Sequence, residues 1–68
     1  MLLNEFLMYC VPHDLPIHII VDIPETDFIG YKDEYFDVYS HEDDYRNLFM
    51  KSVDIDIGDN TLVIYAEV

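Results

Sequence analysis

Cysteine occurs once in these 68 residues, at Cys10. No internal disulfide can form, which excludes the covalent staples of small secreted domains. Glycine occurs only twice, too seldom for a glycine-rich phosphate-binding loop. Lysine and arginine total three, leaving no basic surface to hold a phosphate backbone or an anionic membrane. Direct nucleic-acid binding and membrane association are therefore not expected. No run approaches the roughly 18 apolar residues that a membrane helix needs. The apolar stretch Met1 to Val11 has no cationic segment and is interrupted by Glu5, so it does not read as a signal peptide. A cytoplasmic protein is expected.

Acid is abundant. Fifteen Asp and Glu give a formal charge of −12, beyond the magnitude of about 2 to 8 that suits a small soluble domain. Disorder is not expected, because 51 % of residues are hydrophobic and 15 % aromatic. The length fits one small domain, residues 1–68, which buries about 60 % of the unfolded chain's surface. Charge repulsion works against its compaction, and little volume remains for an active-site cleft. A binding protein without cofactor is expected, not an enzyme.

The apolar pattern predicts the order α-β-β-α-β-β, an α+β fold with a small antiparallel sheet covered on one face by two short helices. Residues 2–11 read as a helix whose buried stripe is Leu3, Leu7 and Cys10. Pro12 to Pro16 is a turn. Ile17 to Ile23 alternates as a strand, with Ile17, Ile19, Val21 and Ile23 inward, and Pro24 stops it. Glu25 to Glu34 reads as an acidic connection with a turn near Gly30, and Tyr35 to Tyr39 as a second strand. Ser40 can cap a helix that buries Tyr45, Leu48 and Phe49 and ends near Met50. The chain finishes in a hairpin. A two-residue turn at Asp59-Asn60 pairs Ile57 with Leu62, Ile55 with Ile64 and Val53 with Ala66, giving an apolar inner face. Strand order is left open.

On this reading the uncovered sheet face collects His18, Ile20, Asp22, Tyr35, Asp37, Tyr39, Asp54, Asp56, Tyr65 and Glu67. Alternate strand residues lie about 6.8 Å apart, so Asp54 and Asp56 carry charge at a spacing on the order of neighbouring phosphates. Glu25, Asp27, Asp33, Glu34, Glu42, Asp43 and Asp44 form a second acidic group. The tyrosines add rigid area with a polar tip, and Ile20 and Val63 hint at burial by a partner or by a second copy in a homodimer. These acids and tyrosines are the candidate partner-binding residues. A globule of this mass exposes roughly 4,500 Å², so imitation of nucleic acid requires the charges to be clustered.

Other chemistries fit poorly. Cys10, His13, Asp14 and His18 are zinc-compatible types, but two prolines and a helix-to-strand change separate them. Asp54 to Asn60 resembles a calcium loop only until Gly58, which falls at the fifth position instead of the sixth, and Tyr65, where Glu is required at the twelfth. His41-Glu42 has no second His four residues after the first. Ser40, Ser52 and Thr26 lie in no nucleophile motif. No metal site is expected.

Small size, the acidic run from Asp22 to Asp44, and Asp54 with Asp56 beside Tyr65 make the chain similar to the small acidic anti-CRISPR proteins of phages and mobile elements that imitate nucleic acid. The resemblance is one of size and charge, with no shared motif. It implies an inhibitor of a basic nucleic-acid-binding protein, such as a CRISPR effector or Cascade subunit, acting in the bacterial cytoplasm by blocking a cationic site that reads or holds DNA. An alternative of another class is an interaction or assembly protein, antitoxin-like or a phage accessory subunit, held through an apolar and tyrosine-bearing face.

Overall fold

The computed structural model describes residues 1–22, 26–39 and 47–68. Helix α1 (Leu3–Cys10) is followed by β1 (Ile17–Val21), β2 (Thr26–Gly30), α2 (Lys32–Tyr39), β3 (Phe49–Asp56) and β4 (Thr61–Glu67). The fold is α+β: among the described residues, one four-stranded sheet ordered β2-β1-β4-β3, two short helices, and a terminal β3–β4 hairpin. Its accessible surface is 4513 Å².

The sheet is mixed, not wholly antiparallel. β1 runs antiparallel to β2 and β4 antiparallel to β3, but β1 and β4 are parallel. This pairing joins the two most apolar strands at the centre, where Ile17, Ile19 and Val21 lie opposite Leu62, Ile64 and Ala66. Helix residues Leu3, Leu7 and Tyr35 pack with these strands into one core, joined by Val11 and Leu48. The helices therefore cover the face bearing the odd-numbered residues of β1.

Leu3 and Leu7 are buried on α1 as the spacing requires, but Cys10 is exposed. The helix stops at Cys10, and extended Val11 occupies the buried place instead. No side chain caps the start of α1. Its first free amide is satisfied from afar, because the Leu3 N–H donates to the Leu48 carbonyl at 2.8 Å.

Residues 26–39 depart most from expectation. The supposed connection contains β2, and the supposed strand Tyr35 to Tyr39 belongs to α2. Lys32, Tyr35 and Phe36 follow the i, i+3, i+4 spacing, and Tyr35 and Lys32 are 2 % and 6 % exposed. The Glu34 carboxylate accepts the Tyr31 N–H at 2.8 Å, half of a capping box without the usual Ser or Thr. That carboxylate lies where a side chain at Gly30 would project, so a larger residue there would displace the Glu34 cap.

Phe49 and Met50 open β3 instead of closing a helix. The chain's start pairs with them: Leu2 bridges Phe49, and the Met50 N–H donates to the Met1 carbonyl at 2.9 Å. The hairpin register differs by two residues from that expected, with Ile55 opposite Leu62, Val53 opposite Ile64 and Asp56 opposite Thr61. A two-residue shift leaves every side chain on its expected face. It moves Ile57 into a four-residue loop, in which Asn60 has a positive φ of 52° and no glycine does. Lys51 forms an irregularity between Met50 and Ser52 that shifts the register by one residue, so Met50 instead of Lys51 lies opposite Ala66. The Ser40 cap and buried Tyr45 fall outside the described residues.

Candidate functional site

Strand register defines the face opposite the helices. One row crosses the sheet as Ile29, His18, Val63 and Asp54, and the next as Asp27, Ile20, Tyr65 and Ser52. Asp56 and Thr61 extend the face at one end, and Phe49 and Glu67 at the other. Strands lie about 4.8 Å apart and alternate residues about 6.8 Å, so Asp27 on one edge strand is roughly 16 Å from Asp54 and roughly 20 Å from Asp56 on the other. Apolar and aromatic side chains fill the middle. Ile29 is 71 % exposed, while Ile20, Val63 and Tyr65 are half-buried.

Cations are sparse around this face. Lys51 Nζ donates to Asp22 Oδ2 at 2.8 Å, and His18 Nε2 lies 3.2 Å from Asp27 Oδ2. The hydrogen bond and charge of Asp22 raise the Lys51 pKa above the ordinary 10.5, with a smaller contribution from Glu67. Lys32 is withdrawn altogether, its Nζ donating to the Leu7 carbonyl at 3.2 Å in the last turn of α1. Among the described residues no cation pairs with Asp54 or Asp56. Their carboxylates instead accept backbone amides, Asp54 from Ile55 at 2.8 Å and Asp56 from Asp59 at 3.3 Å.

Expected site residues divide into three sets. Asp22, Asp27, Asp54, Asp56, Tyr65 and Glu67 share the open face or its margin. Asp33 and Glu34 belong to α2, on the covered side, where Asp33 pairs with His13 at 2.9 Å and Glu34 caps the helix. Tyr35 is not a surface residue: it is buried edge-to-face against Phe28 and Phe36. Asp37 and Tyr39 are on α2 instead of the sheet, because 35–39 is helical. The side chains of Asp37 and Tyr39, and all of Glu25, Glu42, Asp43 and Asp44, lie outside what is described.

Sequence reasoning missed the exposed apolar groups. Val53, Ile55 and Ile57 were expected inside and are 48, 65 and 88 % exposed. With Asp54 and Leu62 they line a shallow groove of about 420 Å³ on the helix side of β3. No signal in the sequence marks them, since Val53, Ile55 and Ile57 alternate as cleanly as the buried residues of β1 do.

Among the described residues no three His, Cys, Asp or Glu side chains converge as metal ligands. No described helix is long and apolar enough to cross a membrane. Comparison with models of known protein families, with curated proteins and with solved structures finds no match.

Proposed function

We propose that this chain is a non-enzymatic binding protein that applies its open sheet face to a Lys/Arg-lined surface of another macromolecule, one that ordinarily receives nucleic acid. The observation that carries the reading is the composition of that face. A centre of Ile20, Val63 and Tyr65 with His18 is rimmed by Asp27 and Ile29 on one edge strand, Asp54 and Asp56 on the other, and Glu67 at one end. A desolvated centre inside a charged rim is the usual anatomy of a protein interface. The rim charge steers encounter with a cationic partner, and the centre supplies contact area. In its sharpest form the proposal is inhibition of a CRISPR effector in the bacterial cytoplasm by occupation of its DNA site.

The test is binding of the purified chain to guide-loaded CRISPR effectors and to other DNA-binding proteins across a salt series, with duplex DNA as competitor. Affinity should fall steeply with salt, DNA should displace the chain, and Asp54→Lys with Asp56→Lys should abolish capture. Binding indifferent to salt, DNA and both reversals would overturn the reading.

A further inference from the structure

The free edge of β3 is a second surface, adjoining the open face at Asp54 and Asp56. β3 ends the sheet, and its eight residues are unevenly protected. Met1 and Leu2 pair with Phe49 and Met50, and Lys51 forms the irregularity beside them. Both are common devices against unwanted strand addition. Beyond Lys51, among the described residues, no strand pairs with the outer side of Ser52 to Asp56, and the Ile55 N–H is held by the Asp54 carboxylate that an added strand would displace. That same half carries the exposed Val53 and Ile55, with Ile57 following.

We infer that an extended strand from a cationic partner adds to the 52–56 edge of β3, its apolar residues over Val53 and Ile55 and its alternating lysines or arginines beside Asp54 and Asp56. Three observations select this occupant. The groove is shallow and bordered by a strand edge, which fits an added strand better than an enclosed small molecule. Side chains alternate in chemistry along the edge, so a period-two partner satisfies both faces at once. A second copy fits badly: antiparallel pairing centred on Asp54 or Ile55 sets Asp54 against Asp54 or Asp56 of the other copy, between chains of charge −12 each. The inference rests on the proposed function in one respect, the positive charge of the partner, and goes beyond it in surface and mode.

The probe is a synthetic peptide of alternating valine and lysine, about eight residues long to match β3. Backbone amide NMR of the full chain should show shifts concentrated at Ser52 to Asp56. The peptide should bind about tenfold tighter than a shuffled peptide of equal composition. Ile55→Lys should remove that preference, with circular dichroism confirming the fold. Should that variant fail to fold, the peptide series on the unaltered chain decides the matter. Equal binding of the shuffled peptide, equal binding of a valine–glutamate version, or shifts confined to open-face residues such as Tyr65 would overturn the inference. A concentration-dependent dimer with the β3 amides protected would overturn it in favour of a second copy. Asp27→Lys, on the opposite edge strand, should weaken capture by a cationic surface and leave peptide affinity unchanged, so the two proposals fail separately.

Discussion

Val53 faces Ile64 directly across the β3–β4 ladder, on the same side of the sheet, yet Ile64 has no solvent exposure and Val53 is 48 % exposed. Among the described residues α1 contacts β3, and the chain's start pairs with that strand at Phe49 and Met50. Val53 lies beyond that pairing, where the apolar face continues past its described cover.

Substitutions along this face should therefore differ in cost. Ile64→Ala should destabilise by about 2 to 5 kcal/mol, through lost burial and the cavity left behind. Ile55→Thr keeps the β-branch and should cost about 0.5 kcal/mol or less, the ordinary range for a surface change. Urea denaturation of both variants checks the contrast. Equal losses would mean that β3 is covered in solution.

Lys32 is buried at 6 % exposure and donates to the Leu7 carbonyl, one of the four carbonyls that α1 cannot satisfy internally. Its charge also sits at the negative end of that helix. Lys32→Ala should cost about 1 to 3 kcal/mol by leaving this carbonyl without its donor. Lys32→Met retains the packing of the stem and should lose less. Chemical denaturation that placed Met level with Ala would mean that packing contributes nothing.

The same lysine explains what was hard to read in the sequence. β1, α1 and the strands of the hairpin were legible because their apolar residues follow clean periods of two or 3.6. α2 was not, since its buried stripe begins with a charged residue and its cap begins with tyrosine, while Tyr35 to Tyr39 also suits a strand. The resulting string α-β-β-α-β-β matches the order of the described elements but is assigned to the wrong residues over 26–39 and at Phe49 and Met50. Half of the candidate site was legible for a related reason. Alternation within a strand assigns Asp54, Asp56 and Tyr65 to a face without knowledge of strand order, whereas Tyr35 changed from surface to core once its element changed.

Turn chemistry gives an independent check on the hairpin. Asn60 holds a φ of 52°, a conformation that costs most residues roughly 1 to 2 kcal/mol and asparagine less. Asn60→Ala should destabilise by about 1 kcal/mol and Asn60→Gly should be close to neutral. A two-residue turn would require positive φ at Asp59 as well, and Asp59→Ala would then be equally damaging. Thermal unfolding of the three variants separates the two registers.

The Lys51–Asp22 pair makes a pH prediction. Asp22 raises the lysine pKa in the folded chain above 10.5, so the pair's contribution is complete below that value and is lost as pH rises through the higher folded one. Lys51→Met should be less stable than the parent at neutral pH, and the difference should vanish in strong alkali. A difference that persists there would assign the effect to the irregularity in β3 instead of the charge.

Salt acts in opposite directions on stability and on binding. A charge of −12 on this surface favours expansion, and counterions screen exposed charges beyond about 10 Å at 0.1 M ionic strength. The midpoint of thermal unfolding should therefore rise with sodium chloride, most steeply at low concentration. Capture by a cationic partner should weaken over the same range, because the charges that destabilise the isolated chain are those the partner neutralises. A chain whose stability does not respond to salt would have its carboxylates too far apart to repel, and carboxylates so dispersed could not act together on a partner. The unfolding series thus tests the clustering of charge before any partner is in hand.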